Sequence, residues 1–393
     1  MQIYEEAGKL VVQPAGSIRS DNAAQFDAEI REAAAKHPML PLVIDARGIT
    51  YISSSGLRVL LALRKELPKA PVSRNVTPEV YEIFEVTGFN TLMDIRRKMR
   101  EISVDSCREI GRGAIGTVYR YDGDTIVKVF KGGDELLPII SAERERARKA
   151  FLLGVPTAIP FDTVKVGDGY GVMFEMVNAE NLNKQAIREP ERLPEILHRY
   201  VGLLKSLHAL EAAPGELPDA RRVYQSIAER MAGDIGKRNA GRVIKLLEAM
   251  PENRHILHGD AHLMNVMDSN GTLMMIDMDT LCSGDPVFEF GALYTSYIAF
   301  GEDEPDNMMQ FHGLSQETCS RIMWDTLREY LGNPDEEAMK KAGQKIALLG
   351  CLRFFDILDK EFPDDPGGLR RRRYRHAAAH IAEILPQIDS LTL

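Results

Sequence analysis

The segment between residues 258 and 279 constrains the local fold and chemistry of this chain more than any other. It starts with the sequence HGDAHLMN at residue 258 and ends with MIDMD at residue 275. Short apolar runs separate the two motifs and flank Ser269-Asn270-Gly271, which is typical of a tight hairpin turn. Such a hairpin would bring Asn265 and Asp277 to one site. Because Mg²⁺ prefers hard oxygen ligands, we predict that these two residues bind magnesium.

Asp260 lies within the first of these motifs and is the candidate catalytic residue. Its carboxylate could accept the proton of an attacking hydroxyl group. We interpret His258 as a structural residue that organises the loop, whereas His262 is compatible with either a structural or a functional role. A zinc site formed by the two histidines is disfavoured, since it would leave Asp260 and Asn265 without a role.

A glycine-rich sequence, GRGAIGTVY, begins at Gly111. In a turn between two strands, Gly111, Gly113 and Gly116 would let the backbone lie close over a triphosphate, and Val118 would pack against adenine. A dinucleotide-binding loop of the Rossmann type is disfavoured, because the pattern after the glycines is that of a strand and not of a helix. An ordinary hairpin that contains glycines remains the alternative.

Lys128 lies between β-branched residues in the sequence IVKV, so we expect it on a strand that points toward the phosphates. A carboxylate should hold its ammonium group. The helix predicted after this strand offers Glu143 and Glu145, which are two residues apart, so only one of them can face inward. We favour Glu145, because its spacing to Phe151 and Leu152 would place it toward the sheet. A solvent-exposed lysine and helix face are the alternative.

Together these motifs resemble the aminoglycoside phosphotransferase and choline kinase family, a branch of the protein-kinase-like superfamily. The resemblance implies an α+β bilobal kinase-like fold and the use of ATP with Mg²⁺. It also implies that the backbone of Glu175 and Val177 reads adenine, and that Glu289 is a structural cap where the family usually has aspartate. The family has no common motif for its substrate-facing helices, so the resemblance does not identify the acceptor.

The chain divides into regions with different patterns. Residues 1–100 alternate between strand-like and helix-like patterns, which predicts a small α/β domain with helices against one sheet. We expect a linker at residues 101–106, a sheet-rich kinase-like lobe at residues 107–181, and a helical kinase-like lobe at residues 182–393.

A second resemblance covers most of residues 1–100. The sequence VIDARGITYISSSGL begins at residue 43, and VTPEV begins at residue 76. Both resemble the STAS domain of anti-sigma-factor antagonists and of sulfate-transporter tails. The resemblance implies a phosphorylated serine at Ser54, although Ser53 stands where the family usually has aspartate. The structural alternative is that these serines only cap the following helix.

Composition narrows the class of protein further. A hydrophobic content of 44% and a charged content of 27% are typical of globular chains, and the net charge of −9 disfavours nucleic-acid binding. No run of 18 apolar residues occurs, and acidic residues lie where a secretory signal would carry basic ones. We therefore expect a cytoplasmic protein without a membrane span. The four cysteines are far apart, which disfavours both disulfides and zinc binding.

Three functions are compatible with these observations. The first is an ATP-dependent phosphotransferase that acts on a hydroxyl of a small molecule and is regulated by the STAS-like domain. The second is a serine/threonine protein kinase of a partner-switching pathway that acts on Ser54 or on another STAS or anti-sigma-type protein. The third is a nucleotide-binding signalling scaffold without turnover. The complete set of Lys128, Asp260, Asn265 and Asp277 disfavours the third, because inactive kinases commonly lack one of these residues.

Overall fold

The strand Leu42–Asp45 is buried along its whole length and forms the middle of a five-stranded sheet. It belongs to the first of two compact units, Met1–Ile102 and Ser103–Leu393. The computed structural model describes residues 1–112, 116–302, 304, 306–361 and 368–393. No helix in these described ranges combines the length and apolar character needed to cross a membrane.

The first unit is an α/β domain. Its strands are β1 Gln2–Glu6, β2 Lys9–Gln13, β3 Ala15–Ile18, β4 Leu42–Asp45, β5 Gly48–Ile52, β6 Val72–Val76, β7 Ile95–Arg97 and β8 Arg100–Ile102. Its helices are α1 Ala23–Lys36, α2 Ser54–Glu66 and α3 Pro78–Val86.

The main sheet of this unit has the order β1-β2-β4-β6-β7, in which β1 and β2 are antiparallel and the later pairs are parallel. β3 and β5 form a separate parallel pair. Helix α2 buries Leu57, Leu60 and Leu63, whose spacing places them on one face of the helix. These leucines join β4 and the other helices in one hydrophobic core, so the expected α/β architecture is confirmed.

The second unit begins with an antiparallel sheet and continues with helices. Its strands are β9 Arg108–Arg112, β10 Gly116–Arg120, β11 Thr125–Phe130, β12 Pro160–Val166, β13 Gly169–Glu175, β14 Glu180–Asn181, β15 Ile256–Leu257, β16 Val266–Ser269, β17 Thr272–Met275 and β18 Cys282–Ser283. Its helices are α4 Leu137–Leu152, α5 Leu182–Arg188, α6 Leu193–His208, α7 Ala220–Arg230, α8 Ala232–Ile235, α9 Lys237–Glu248, α10 Val287–Tyr297, α11 Asp306–His312, α12 Gln316–Tyr330, α13 Glu336–Glu361 and α14 Leu369–Ile384.

Five strands of the second unit lie side by side in the order β12-β13-β11-β10-β9, and α4 packs against them. Among the later helices, α10 is buried at every residue and packs against α12 and α13. Two small strand pairs interrupt these helices, and they carry the segment between residues 256 and 283. A sheet lobe followed by a helical lobe is the kinase-like arrangement expected from the sequence.

Candidate active site

The hairpin predicted between the two polar motifs is present. β16 and β17 pair from Val266 opposite Met275 to Ser269 opposite Thr272. The two turn residues, Asn270 and Gly271, both have positive φ, at 51° and 93°. This conformation suits a two-residue hairpin turn, because its twist matches that of the strands. The hairpin therefore brings residues 265 and 277 together at its open end.

Asn265 is tied to the candidate catalytic loop by its side-chain amide. Its Nδ2 donates a hydrogen bond of 2.9 Å to the backbone carbonyl of Asp260, and its own carbonyl accepts from the amide of Ile276 at 2.9 Å. The side chain is buried. With the amide nitrogen engaged in this way, the Oδ1 atom is the group of Asn265 that can serve as a cation ligand.

His258 joins the loop to the hairpin. The residue is fully buried, and its Nδ1 accepts a hydrogen bond of 3.2 Å from the amide of Asp260. The proton of a neutral ring must then lie on Nε2, which donates to the carbonyl of Ile276 at 2.9 Å. His258 therefore organises the loop, as the sequence analysis proposed.

Glu289 on α10 stabilises the backbone of the same loop. Its buried carboxylate accepts hydrogen bonds from the amides of His258, at 2.7 Å, and Gly259, at 3.0 Å. Gly259 has a φ of +76°, and a Cβ at this position would lie 2.7 Å from the carbonyl oxygen of Thr280. Only glycine fits such a conformation and such a close approach. The role of Glu289 as a structural cap is thus supported by its contacts.

Asp260 projects from this loop with a side chain that is 34% exposed. Burial raises the pKa of its carboxyl group, but the nearby His262 and Arg353 more than offset that effect, so the pKa is lower than usual. The Oδ2 atom lies 3.6 Å from Nε2 of His262. A carboxylate that stays ionised and is open to solvent is suited to accept a proton.

Asp277 has the backbone of a strained site. Its φ of 65° and ψ of 71° lie in the left-handed region, which is uncommon for residues other than glycine. The oxygens of Glu143, Asp277 and Asp279 come within 4.8 Å of one another. In the described part of the chain, Oε2 of Glu143 and Oδ1 of Asp279 are buried without a hydrogen-bond partner. Such a set of anionic oxygens fits a hard divalent cation such as Mg²⁺.

Lys128 lies among these carboxylates. Its Nζ is 2.7 Å from Oε1 of Glu143, 3.6 Å from Oδ1 of Asp277 and 3.5 Å from Oδ2 of Asp279. Burial lowers the pKa of Lys128, but these three carboxylates outweigh it and raise the pKa above its usual value. Burial also raises the pKa of Glu143, against the effect of Lys128. The ammonium group is therefore charged and fixed at the edge of the site.

The prediction that Glu145 holds Lys128 is wrong, and the partner is Glu143. Helix α4 buries Ile140, Glu143, Ala147 and Ala150, whose spacing of three and four residues defines the face against the sheet. Glu145 lies on the other face, where it is 50% exposed and contacts Arg148. The prediction assumed that Phe151 and Leu152 face the sheet, but both are exposed at the end of α4.

The glycine-rich sequence lies on β9 and β10, next to Lys128. Val118 on β10 pairs with both Gly111 and Lys128. A Cβ at Gly116 would lie 2.7 Å from the carbonyl oxygen of Val129, so the close approach of the strands requires glycine there. Gly113 lies outside the described residues. The structure thus places Gly111, Gly116 and Val118 on the strands beside Lys128, and their contact with a nucleotide stays a prediction.

The predicted adenine-binding backbone follows β13. The amide of Glu175 donates to the carbonyl of Ile159 at 3.0 Å, and the amide of Met176 donates to that of Asp124 at 2.7 Å. Both amides are used inside the sheet lobe. Recognition of adenine at this point would therefore depend on the carbonyl of Glu175 and the amide of Val177.

Ser54 is the first residue of α2, and its side chain is exposed. Ser53 caps the helix, because its side chain accepts a hydrogen bond of 3.4 Å from the amide of Gly56. The capping interpretation therefore applies to Ser53, and the hydroxyl of Ser54 remains accessible. Phosphorylation of Ser54 stays a prediction.

Three side chains near the site are not predicted by the sequence motifs. Asp279 is the second acid of MIDMD, but nothing in that motif predicts its contact with Lys128. Arg353 on α13 and Phe311 on α11 come from distant segments, and no motif surrounds either of them.

Comparisons with known proteins cover both units. Residues 106–330 match the family model described as "Phosphotransferase enzyme family", and residues 1–96 match "Mlab, STAS domain". The chain is also similar to BtrV of Bordetella bronchiseptica, whose name assigns it to the anti-sigma factor antagonists. The two are 34% identical over 91 residues, which are 22% of this chain and 78% of BtrV.

Solved structures of aminoglycoside phosphotransferases are similar to a larger part of the chain. The gentamicin complex of APH(2″)-IIa is 15% identical with a TM-score of 0.45, and the match covers 77% of this chain and 95% of that one. The GDP complex of aminoglycoside 2′-phosphotransferase-IIIa is 14% identical, with a TM-score of 0.46 and coverage of 78% and 98%. APH(3″)-Id of Streptomyces rimosus, with ADP and streptomycin, is 16% identical, with a TM-score of 0.40 and coverage of 71% and 92%.

More than half of the chain matches the phosphotransferase family model, and the matched range includes Lys128, Glu143, Asp260, Asn265 and Asp277. The chain therefore belongs to the phosphotransferase enzyme family and carries a STAS domain in residues 1–96.

Proposed function

We propose that this protein transfers the γ-phosphoryl group of ATP to a hydroxyl group of a small molecule, under regulation by its STAS domain. One observation carries the proposal: the Lys128–Glu143 ion pair lies within 3.6 Å of Asp277, and Asp277 shares a hairpin with the Asp260–Asn265 loop. Phosphoryl transfer needs a cation for the phosphates, metal ligands and a base in this proximity.

In this proposal each residue has one task. Lys128 binds the α- and β-phosphates, and Glu143 holds its ammonium group in place. Asn265 and Asp277 bind Mg²⁺, which neutralises charge on the phosphates. Asp260 orients the acceptor hydroxyl and accepts its proton as the new oxygen–phosphorus bond forms.

The nucleotide would lie under the glycine-rich strands. Gly111, Gly113 and Gly116 would cover its phosphates, while Val118 packs against adenine. The backbone of Glu175 and Val177 would form hydrogen bonds with the edge of the base. These contacts are proposed because Val118 on β10 pairs with Lys128 on the neighbouring strand β11.

The identity of the lysine partner can be tested with a matched pair of variants. We expect Glu143→Gln to lower kcat/KM for ATP by roughly 10- to 100-fold. This factor corresponds to the free energy of a buried hydrogen bond to a charged group. Glu145→Gln removes the same charge from the exposed face of α4 and should change kcat/KM by less than about twofold. An equal loss in the two variants would contradict the assignment of Glu143.

A second function deserves a test because Ser54 is exposed at the beginning of α2. A helix N-terminus stabilises added negative charge, since its free amides and dipole face the phosphate. In this alternative the protein is a serine/threonine kinase of a partner-switching pathway, and it phosphorylates Ser54 or another STAS protein.

Incubation of the purified protein with γ-labelled ATP and Mg²⁺ separates these functions. For the small-molecule kinase we expect no label on the protein. If Ser54 is the acceptor, the protein becomes labelled and Ser54→Ala abolishes the label, whereas the matched Ser55→Ala variant retains it. If ATP binds tightly but no ADP forms with any of the acceptors tested, the scaffold without turnover is favoured.

A further inference from the structure

Exposed apolar side chains lie close to the loop that carries Asp260. Phe311 on α11 is 57% exposed and Ile187 on α5 is 46% exposed. The Cδ1 atom of Ile187 lies 3.1 Å from where a Cβ on Gly313, two residues after Phe311, would be. Contact between large apolar side chains and water is unfavourable, so a molecule that covers these side chains gains binding free energy. We call Phe311 and Ile187 the apolar platform.

The apolar platform is one side chain away from the candidate base. Oδ2 of Asp260 lies 3.6 Å from Nε2 of His262. The ring of His262 is buried and meets the ring of Phe311 edge-on, with centroids 6.3 Å apart. The ring of His262 therefore contacts both the candidate base and the exposed phenylalanine.

The position of Phe311 is fixed by the groups around it. Its ring stacks on that of Phe300 at a centroid distance of 6.2 Å and an angle of 11°. The next residue, His312, is buried, and its Nε2 donates to the carbonyl of Ser296 at 2.9 Å. The carbonyl of His312 accepts from Nδ2 of Asn183 on α5 at 2.7 Å, which holds the two helices together. The exposed ring is thus part of a rigid wall.

Among the described residues, two carboxylates just before α11 have partners within the chain. Glu304 is already paired with Arg372 and Arg373, and Glu302 accepts from Tyr294 and is paired with His376. Arg373 also lies over the ring of Phe300, at 5.7 Å from its centroid. Asp306, at the first turn of α11, lies at the opposite end of that helix from Phe311.

We infer that the acceptor carries an aromatic or alkyl group beside the hydroxyl that is phosphorylated, and that this group packs on the apolar platform. A molecule whose surface consists of ammonium and hydroxyl groups gains nothing from such a platform, because its hydration is lost without replacement. This inference rests on the proposed function, since it describes the acceptor of the same reaction.

Binding of model alcohols to the full chain tests the inference. Saturation-transfer NMR in the presence of Mg²⁺ and ADP would compare 2-phenylethanol, choline and kanamycin, which all carry hydroxyl groups but differ in charge and apolar surface. We expect 2-phenylethanol to bind most tightly. Phe311→Ser should weaken its binding by about tenfold, as expected when an aromatic contact is lost. Phe311→Leu keeps apolar surface and should give an intermediate value.

The matched control is Phe151→Ser, which removes an exposed phenylalanine from α4 and should leave 2-phenylethanol binding unchanged. Thermal unfolding of each variant would show that the fold is retained. Tighter binding of kanamycin or choline than of 2-phenylethanol would overturn the inference, and so would unchanged binding in Phe311→Ser. Because binding is measured with ADP, this outcome is independent of whether the protein transfers phosphate from ATP.

Discussion

The Asp260→Asn protein is expected to bind ATP with the affinity of the native protein and to transfer phosphate roughly 10²- to 10⁴-fold more slowly, as when a general base is removed. The asparagine has the same shape but does not accept a proton. The loop should be retained, because its hydrogen bonds to His258 and Asn265 use the backbone amide and carbonyl of residue 260. The loss should therefore appear in kcat and not in the dissociation constant of ATP.

Titration with a fluorescent ATP analogue and single-turnover assays with labelled ATP would separate binding from transfer. Unchanged turnover in the variant would rule out Asp260 as the base. Because the pKa of Asp260 is lower than usual, its carboxylate is ionised throughout the neutral range. Any loss of activity between about pH 7 and pH 5 should therefore come from another group, such as Glu143, whose pKa burial raises to about 7 and which loses its charge as the pH falls.

The second large effect is expected for Asp277→Asn, in which transfer should fall by at least about 100-fold and the Mg²⁺ requirement should rise. The substitution removes one negative charge from the cation site and also weakens the contact with Lys128. Asparagine tolerates the left-handed backbone of residue 277 as well as aspartate does, so the fold should be retained.

A titration of activity against free Mg²⁺ at saturating ATP measures this effect directly. Asp168→Asn is the control, since it removes the same charge from an exposed turn between β12 and β13. Its half-saturating Mg²⁺ concentration should equal that of the native protein. If Asp277→Asn shows native Mg²⁺ dependence, the cation is held by other residues.

The hairpin and the loop before it could be predicted from the sequence because their signals are local. Asn270-Gly271 favours one type of turn, and the spacing of Asn265 and Asp277 around it then determines which residues meet. The helix start at Pro78 and the leucine face of α2 are local in the same sense. For this reason, the fold of each unit could be predicted from the sequence.

Other features depend on contacts between distant segments. Strand β6 has the polar sequence VSRNV, and Arg74 and Asn75 both form hydrogen bonds with the fully buried Asp45 of β4. A hydrophobic pattern therefore did not indicate this strand. The choice between Glu143 and Glu145 depended on the rotation of α4, which is set by packing against the sheet and not by the short apolar end of the helix.

The hydrogen bonds of His258 have a mechanical consequence. They join Asp260 to Ile276, just after β17, and Asn265 is hydrogen-bonded to both residues, so the proposed base and the proposed metal ligands belong to one connected body. Lys128 and Glu143 belong to a different sheet and helix. Lys128 reaches this body through its contacts with Asp277 and Asp279, and α4 packs against Met278–Thr280. A longer distance between strand β11 and the hairpin would therefore separate the ammonium group of Lys128 from the two aspartates.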